Sequence, residues 1–474
     1  MVVPVSLINL QQLKAGQLTS AYRTSNQLEP IVRLQISAQL TEFPQEIFEL
    51  ADSLEILDLS NNHLSQLPDD LDRLVNLRIL FLSNNDFTAI PKILAACPKL
   101  EMISFKSNAL TLIGENVLPL DTRWLILTDN RIEKLPNSMG QLHRLQKLAL
   151  AGNRLSLLPE SMAQCKNLEL ARLSANELTE MPDWLFQLPK LAWLAFSGNA
   201  FNREQIEYDA SEENSTVIAV ALSDIKLGEL IGEGASGFIY RAEWVNQPKS
   251  LMGTEQQIAV KIFKGDVTSD GYPEDELDCC LTAGDQKNLI KVIAQLDQAD
   301  AEKTSGIVMK LIASDYYNLG LPPSLKTCTR DTFKNGTQFS PLAIHKVGEQ
   351  LLDGLCHLHN KGISHGDIYA HNTMINADYD LLFGDFGAAT NLNNLSELQQ
   401  KAMERIEVRA LACLLDDLSR LNCDEISAEQ NSLQQGIKQL IQEGMQADTW
   451  RRPSMAEMQV RLASLNKNDI METQ

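Results

Sequence analysis

The pattern L-x-x-L-x-L-x-x-N recurs through the N-terminal part of the chain with a period of 22 or 23 residues. Its asparagine stands at seven positions: Asn62, Asn85, Asn108, Asn130, Asn153, Asn176 and Asn199. A weaker eighth copy precedes them, with Leu34, Ile36 and Gln39 in the corresponding places. A proline follows five of the asparagines by six residues, at Pro68, Pro91, Pro136, Pro159 and Pro182. Because one such unit cannot bury its own apolar residues, the copies are predicted to stack side by side.

This periodicity predicts an α/β leucine-rich-repeat solenoid, or horseshoe, over residues 1–201. In each copy we expect the L-x-L segment to form a short strand with both apolar side chains turned inward. The asparagine amide carries donors and acceptors, and we expect it to satisfy backbone groups where the chain leaves the strand. Cys97 and Cys165 each follow a repeat asparagine by 12 residues, which predicts small buried side chains.

A concave apolar column is predicted at the residue just before each inward-pointing pair. Its members are Ile56, Ile79, Met102, Trp124, Leu170 and Trp193, and Lys147 interrupts it. Exposed apolar surface of this extent usually marks a contact surface. The sequence leaves two interpretations open. Either a protein substrate or regulator binds the column, or the rest of the chain or a second copy covers it.

The formal net charge of the chain is −21, and its pI is about 4.8. Phosphate backbones and anionic lipid surfaces repel such a protein, so nucleic acid and membranes are not expected partners. The sequence also lacks an apolar run of the ~18 residues that a membrane-spanning helix requires. Eight cysteines are spread without C-x-x-C pairs or Cys/His ligand spacing, which predicts reduced thiols and a cytoplasmic location.

The repeat pattern stops after Asn199, and an acidic, polar stretch without periodicity follows. We assign residues 202–222 to a short linker, 223–466 to a second domain and 467–474 to a C-terminal tail. A linker of this length limits how far two domains can separate, so we expect contact between them.

The second domain opens with a glycine-rich segment that follows a strand-like run. Gly232, Gly234 and Gly237 form G-x-G-x-x-G, with Ile231 and Ile239 flanking it. Glycines at a hairpin let backbone N–H groups approach triphosphate oxygens. The motif alone is a weak signal, but a later strand-like run, I-A-V-K, ends on Lys261. We expect Lys261 to hold the α- and β-phosphates, oriented by Glu276 on a following helix, with Glu274 as the alternative.

Three further polar residues stand at intervals typical of phosphotransfer chemistry. Asp367, in the triplet H-G-D, is placed to accept the proton of an incoming hydroxyl. Asn372, five residues on, and Asp385, in the triplet D-F-G, offer oxygen ligands for magnesium ions. The order and spacing of all these elements are together far more specific than any one of them.

With these motifs the second domain resembles the eukaryotic-type protein kinases, and essentially the whole chain resembles the soluble bacterial leucine-rich-repeat protein kinases. The resemblance implies an α+β bilobal protein-kinase fold that uses ATP and Mg2+. Its implied site residues are the glycine loop, the Lys261–Glu276 ion pair, Asp367 as base, and Asn372 and Asp385 as metal ligands. It also implies that Met309 guards the adenine pocket and that backbone groups from Lys310 to Ile312 bond adenine.

Two positions near the predicted base depart from the protein kinase pattern. Gly366 stands where many kinases carry an arginine that receives a phosphorylated activation loop, so the resemblance implies that no such phosphorylation is needed. Tyr369 stands where serine/threonine kinases usually have a lysine that touches the transferred group. This second departure leaves the identity of the acceptor open.

The segment after Asp385 is also unusual because it is short. Its only hydroxyl residues are Thr390 and Ser396. The closest match to the closing A-P-E triplet is Ala402-Met403-Glu404. We expect Glu404 to pair with Arg452, since a bidentate bond of this kind is strong in a buried lobe.

The sequence therefore predicts an ATP- and Mg2+-dependent protein kinase, directed at serine or threonine, whose repeats recognise or regulate proteins. The form H-G-D-x-x-x-x-N also occurs in small-molecule kinases, which likewise lack A-P-E, and this is one alternative. A non-catalytic ATP-binding scaffold is the other. Against the scaffold, every expected phosphotransfer residue is in place.

Overall fold

The computed structural model describes residues 6–7, 23–24, 27–28, 31–203, 218–234, 236–252, 256–264, 267–268, 270–296, 305–421 and 427–465. Two compact units divide the chain: Met1–Ala171 with Asn176–Trp184, and Arg172–Ala175 with Leu185–Gln474. The second unit therefore contains Arg172 and the last repeat as well as the second domain. Most of the linker predicted at 202–222, and all of the tail at 467–474, lie outside the described residues.

Short parallel strands form the repeat sheet and follow one another in chain order. They are β1 (Ser6–Leu7), β4 (Arg33–Gln35), β5 (Ile56–Asp58), β6 (Ile79–Phe81), β7 (Met102–Ser104), β8 (Trp124–Ile126), β9 (Lys147–Ala149), β10 (Leu170–Arg172) and β11 (Trp193–Ala195). An antiparallel pair, β2 (Arg23–Thr24) and β3 (Gln27–Leu28), intervenes along the chain. Leu57 lies opposite Leu80, and both are fully buried. The predicted solenoid of inward-pointing leucines is confirmed.

The repeat asparagines bond the backbone of their own repeat and of the preceding one. Asn62 donates its Nδ2–H groups to the carbonyls of Ile36 and Leu59, both at 2.8 Å. Its Oδ1 accepts from the backbone N–H of Leu40 at 3.0 Å. One repeat later, Asn85 donates to the same Leu59 carbonyl at 3.0 Å. The predicted asparagine ladder is therefore present, and it satisfies buried backbone groups that would otherwise be costly.

The concave apolar column is mostly buried. Five of its six members are between 1% and 7% exposed: Ile79, Met102, Trp124, Leu170 and Trp193. Ile56 alone is partly exposed. In the second unit the Trp193 indole stacks on Tyr369, with ring centroids 4.6 Å apart and planes 7° from parallel. Of the two interpretations that the sequence leaves open, cover by the chain itself holds at Trp193.

The first part of the second domain is a six-stranded sheet with one helix. Its strands are β12 (Ile218–Val220), β13 (Ile225–Glu233), β14 (Gly237–Trp244), β15 (Gln257–Phe263), β16 (Val292–Leu296) and β17 (Gly306–Lys310), in the order β12-β16-β17-β15-β14-β13. Alternating apolar residues such as Ile258, Val260 and Val308 form one buried core. Helix α2 (Pro273–Ala283) contacts β16 and β17, and Pro273 stands in its first turn, where no intrahelical N–H is needed.

The rest of the domain is helical. Its helices are α3 (Pro341–Asn360), α4 (Glu397–Ser419), α5 (Ala428–Gly444) and α6 (Met455–Leu465). A short helix, α1 (Ala200–Arg203), precedes the domain and ends the last repeat. Five short strands lie among them: β18 (Tyr317–Asn318), β19 (Ile363–Ser364), β20 (Thr373–Ile375), β21 (Leu381–Phe383) and β22 (Thr390–Asn391). Helix α3 buries an apolar face that includes Val347, Leu351 and Leu355. None of the helices in the described ranges has the length and apolarity needed to cross a bilayer.

Candidate active site

Lys261 lies inside the six-stranded sheet, opposite Ile239 of β14 on one side and Ile307 of β17 on the other. Its ammonium group forms an ion pair with the Glu276 carboxylate in the first turn of α2. Their side chains are only 8% and 3% exposed. The structure thus brings Lys261 and Glu276 together, whereas Glu274, the alternative partner, is exposed.

Asp385 lies beside the same ammonium, with its Oδ1 atom 3.5 Å from the Lys261 Nζ. Burial alone would lower the pKa of Lys261, but the carboxylates of Glu276 and Asp385 raise it above its ordinary value. Partial desolvation works against the Asp385 carboxylate, whose side chain is 47% exposed, yet Lys261 holds its pKa below the ordinary value. At neutral pH the site therefore contains a fixed ammonium group and an ionised carboxylate side by side.

The backbone at Asp385 is held in a conformation that non-glycine residues rarely adopt. Its φ is +61°, in the left-handed region. The carboxylate accepts a hydrogen bond of 3.4 Å from the Gly387 backbone N–H, at the start of a short helical turn. Strain of this kind persists where the surrounding structure requires one side-chain direction. Here it fixes the carboxylate of the D-F-G triplet near Lys261.

Asp367 and Asn372 are joined directly. The Asn372 Nδ2 donates to the Asp367 Oδ2 at 2.7 Å and to the Asp367 backbone carbonyl at 3.0 Å. These bonds use the amide nitrogen and not the amide oxygen of Asn372. An amide oxygen from Asn372 and a carboxylate from Asp385 are the hard oxygen donors that Mg2+ prefers. The residues present therefore fit the metal that the sequence predicts.

The H-G-D triplet is anchored from two sides. His365 is fully buried, stacks on Phe383 at 4.0 Å between ring centroids, and contacts the Gly384 carbonyl through Nε2 at 3.0 Å. Burial lowers the pKa of His365, so the ring is neutral and donates its Nε2–H to that carbonyl. Glu407 of α4 accepts the Gly366 backbone N–H at 2.6 Å. Together these contacts fix the backbone that carries Asp367.

Gly366 is glycine for two structural reasons. Its φ is +73°, which L side chains rarely adopt. A Cβ atom there would lie 2.4 Å from the Ala388 carbonyl oxygen and 3.3 Å from that of Leu194. An arginine, as in many protein kinases, could not occupy this backbone. The departure from the usual pattern at Gly366 is therefore a packing requirement of this chain.

Replacement of Gly366 by alanine is expected to lower the free energy of unfolding by about 3 kcal/mol, since it adds a backbone clash to an unfavourable φ. Gly336 provides the control, because its φ is +83° but a Cβ there would meet nothing within 4 Å. Gly336→Ala is expected to cost only about 1 kcal/mol. Chemical denaturation of both variants checks this, and equal losses would refute the role of the close contact.

The three loop glycines differ in what requires them. A Cβ at Gly237 would lie 2.6 Å from the Ile262 carbonyl oxygen on β15, so packing within the sheet excludes a side chain. A Cβ at Gly232 would meet only ordinary contacts from 3.5 Å, and one at Gly234 would meet nothing within 4 Å. The absence of side chains at these two positions leaves the surface of the loop open, as the close approach of a ligand requires.

The predicted adenine-binding residues lie in and beyond β17. Met309 is opposite Ala259 of β15, and the Lys310 backbone N–H donates to the Lys291 carbonyl at 2.9 Å. Ile312 follows in a loop and is partly exposed, while Ile231, before the glycine loop, is 43% exposed. Their roles in binding adenine stay a prediction.

The predicted pair of Glu404 and Arg452 is wrong. Glu404 lies within α4, where its Oε1 accepts the Met455 backbone N–H at 2.8 Å. Arg452 is buried and instead donates to three backbone carbonyls, those of Gln446 at 2.8 Å, Arg405 at 3.2 Å and Pro189 at 2.9 Å. The triplet Ala402-Met403-Glu404 is helical because α4 already begins at Glu397, so it does not close an activation segment.

Neither hydroxyl of the short segment after Asp385 is free in this structure. Thr390 is fully buried, and its Oγ1 accepts the Phe196 backbone N–H at 3.2 Å. Ser396 caps α4, with its side chain accepting from the Gln399 backbone N–H at 3.3 Å. The expectation from Gly366 that no phosphorylated activation loop is needed stays a prediction.

The sequence analysis missed Arg172, whose guanidinium contacts Asp367, the predicted base. Burial alone would lower the pKa of Arg172, but the carboxylates of Asp367 and Asp270 outweigh burial and raise the pKa above its ordinary value. The guanidinium therefore stays charged. A signal was present in the repeat register. From β4 to β11, the outward position that ends each three-residue strand of the repeat sheet reads Gln35, Asp58, Phe81, Ser104, Ile126, Ala149, Arg172 and Ala195, and Arg172 is the one cation among these.

Asp331 also lies close to the H-G-D loop without having been predicted. Its Oδ1 accepts the Ala370 backbone N–H at 2.9 Å. Burial raises the pKa of this carboxyl from the ordinary 3.8 to about 7, with Asp417 and Asp367 adding to the rise and Arg330 opposing it. The folded protein therefore binds a proton at Asp331 more tightly than the unfolded chain does.

Because the folded-state pKa of Asp331 is the higher one, stability is expected to fall as pH rises from about 4 to about 7. Asp331→Asn keeps an acceptor for the Ala370 N–H but removes the titration. The variant should gain about 1–2 kcal/mol in unfolding free energy relative to the parent between pH 5 and pH 8. Urea denaturation at several pH values measures this difference, and a gap that does not change with pH would contradict it.

Comparison with known proteins agrees with this geometry. Residues 225–427 match the family described as "Protein tyrosine and serine/threonine kinase". The chain carries a protein kinase domain. Residues 31–87 and 143–201 match "Leucine rich repeat". Because the kinase family covers tyrosine as well as serine/threonine kinases, the match does not identify an acceptor amino acid.

Curated relatives of the kinase domain are distant. "Fibroblast growth factor receptor 1" of Xenopus laevis is 24% identical over 226 residues, which are 46% of this chain and 27% of that protein. A probable cyclin-dependent serine/threonine-protein kinase of Dictyostelium discoideum is 27% identical over 173 residues, 36% of this chain and 24% of that protein. The chain thus spans about a quarter of the length of either. A leucine-rich-repeat protein of Leptospira interrogans is 27% identical, with a TM-score of 0.31, over 36% of this chain and 50% of that one.

Proposed function

We propose that the chain is an ATP- and Mg2+-dependent protein kinase directed at serine or threonine hydroxyls. The observation that carries this proposal is the buried Lys261–Glu276 ion pair with Asp385 at 3.5 Å from the same ammonium. Burying a lysine charge between two carboxylates costs desolvation energy, and such arrangements cluster at functional sites. In a kinase domain we expect the Lys261 ammonium to bind the triphosphate.

Each polar residue of the site then has a defined task. Lys261, oriented by Glu276, binds the α- and β-phosphates, and the loop at Gly232 and Gly234 covers them. Asp385 and Asn372 hold magnesium ions, which when bound neutralise charge on the β- and γ-phosphates. Asp367 receives the proton of the acceptor hydroxyl and orients it toward the γ-phosphoryl group. Exclusion of water by the closed loop favours transfer over hydrolysis.

The repeats are proposed to recognise or regulate proteins, as leucine-rich repeats generally do. Five members of the concave apolar column are buried, so a partner that used them would first have to displace what covers them. Ile56 is the column member that a partner could reach in this structure. A cytoplasmic location, inferred from the spacing of the cysteines, remains part of the same proposal. Independence from nucleic acid and membranes, inferred from the acidic charge, is also part of it.

A small-molecule kinase is the second candidate, and one observation favours it. Only residues 388–396 lie between the D-F-G triplet and the start of α4 at Glu397. A short segment of this kind leaves less surface of its own for a polypeptide.

Transfer of labelled γ-phosphate from Mg-ATP tests the proposal, with wild type and Asp385→Ala compared on the chain itself and on dephosphorylated casein. Label on serine or threonine that the variant lacks would support a protein kinase. Tight ATP binding without protein labelling, both in wild type and in Arg172→Gln, which lacks the guanidinium contact to Asp367, would oppose it. A screen of small hydroxyl compounds would then separate a small-molecule kinase from a non-catalytic scaffold.

A further inference from the structure

All three nitrogens of the Arg172 guanidinium have acceptors, and two of these acceptors belong to the predicted catalytic loop. Its Nη2 bonds the Asp367 Oδ1, its Nη1 donates to the Gly366 carbonyl at 2.9 Å, and its Nε donates to the Asp270 Oδ1 at 2.9 Å. Arg172 is only 5% exposed. A planar guanidinium held at three points in this way is well ordered.

Both oxygens of the Asp367 carboxylate consequently hold a donor. Oδ1 faces Arg172, and Oδ2 accepts the Asn372 amide at 2.7 Å. A general base must come within about 3 Å of the hydroxyl whose proton it takes. An acceptor that approaches Asp367 from the Arg172 side must therefore displace the guanidinium.

The last repeat covers the backbone on either side of this carboxylate. Trp193 stacks on Tyr369 and donates its Nε1–H to the Ile368 carbonyl at 3.1 Å. Ser197 donates its hydroxyl to the Ala389 carbonyl at 2.6 Å. Tyr369 and Ala389 are accordingly 6% and 2% exposed. A polypeptide acceptor cannot contact either of them while the last repeat is in this position.

We propose that Arg172 blocks the acceptor side of Asp367, so that the chain in this conformation is self-inhibited toward polypeptide acceptors. The inference rests on the proposed function and adds its regulation. The block leaves the nucleotide side open, since the Asp385 side chain is 47% exposed. ATP binding and acceptor access are therefore controlled separately. Release requires the strand that ends in Arg172 and the last repeat to move away from the loop.

The sign of one mutation distinguishes this block from a helpful role of Arg172. Arg172→Gln removes the charge and shortens the side chain. In a self-inhibited kinase the fraction of molecules in the competent state limits the observed rate. Removal of the inhibitory contact raises that fraction and therefore raises the rate. We expect the initial rate of transfer to dephosphorylated casein to rise at least about tenfold, with the Kd for Mg-ATP changed less than about twofold. Arg154→Gln, an exposed arginine of the repeats, is the matched control and should change neither value.

A second readout does not depend on activity. Carbodiimide with glycine ethyl ester converts accessible carboxylates to amides, and mass spectrometry reports the extent at Asp367. Labelling of Asp367 should increase in Arg172→Gln, and to a smaller extent in Asp270→Asn, which removes the charge that holds Nε. Thermal unfolding of each variant shows whether it has folded, and Asp270→Asn serves if Arg172→Gln does not fold.

The outcomes are distinct. Increased labelling together with faster transfer supports the block. Unchanged labelling of Asp367, or a transfer rate that falls or stays level while the parent is active, overturns it. Increased labelling without protein transfer from any variant supports the block at Asp367 and overturns the protein kinase function instead.

Discussion

Asp367→Asn is expected to lower the rate of phosphotransfer at least about a thousandfold, because an amide cannot take up the proton of the acceptor hydroxyl. Asparagine has nearly the same size and can still accept from Asn372, which now bonds the carboxylate at 2.7 Å. The Kd for Mg-ATP should therefore change less than about threefold, since Lys261, Glu276 and Asp385 are untouched. Initial rates and nucleotide titration measure the two effects separately.

This experiment needs a background in which transfer is measurable. The loss should be compared in the parent and in Arg172→Gln, because the parent is proposed to be self-inhibited. Asp378→Asn is a suitable control, since Asp378 is an exposed aspartate of the same domain. Retention of more than about a tenth of the rate in Asp367→Asn would remove Asp367 from the role of base.

Glu276→Ala is expected to cost about 3 kcal/mol of unfolding free energy and nearly all of the transfer activity. The carboxylate now compensates a lysine charge that is 8% exposed, and its loss leaves that ammonium buried. Asp385, at 3.5 Å, offsets only part of this cost, and in doing so it would be drawn away from its proposed metal. Denaturant unfolding and Mg-ATP titration measure the two consequences.

Two further variants make the test specific. Glu274→Ala removes an exposed carboxylate from the same turn of α2 and should be nearly neutral. The double variant Glu276→Ala with Lys261→Met removes both charges, so it should regain part of the lost stability but none of the activity. If the single variant were as stable as the parent, the ion pair would not be the buried structural element that we describe.

The repeat region was predictable in detail because its signal is periodic. A period of 22 or 23 residues fixes which leucines point inward and which asparagine bonds the backbone, and the bonds of Asn62 and Asn85 follow that scheme. Exposure was not predictable in the same way. The sequence identifies Trp193 as outward-pointing, but it carries no information that Tyr369, 176 residues later, stacks on it.

The site was predictable where chemistry determines the spacing, and not where tertiary contacts do. Lys261 and Glu276 meet as expected, because a strand and the following helix place them together. Glu404 and Arg452 do not meet, because the capping box at Ser396 starts α4 early and draws Glu404 into a helix. Arg172 lies 195 residues before Asp367, and no local pattern could join two such positions.

Arg172 and the last repeat belong to the same compact unit as the kinase domain. This limits how such chains can evolve. Repeats can be gained or lost by duplication where neighbours contact only neighbours. The repeat that carries Trp193 and Ser197 has specific bonds to the catalytic loop and to the segment after the D-F-G triplet, and it cannot be exchanged for a generic copy. Lineages of this protein should therefore differ in repeat number on the N-terminal side of Arg172 and keep the last repeat in register with the kinase domain.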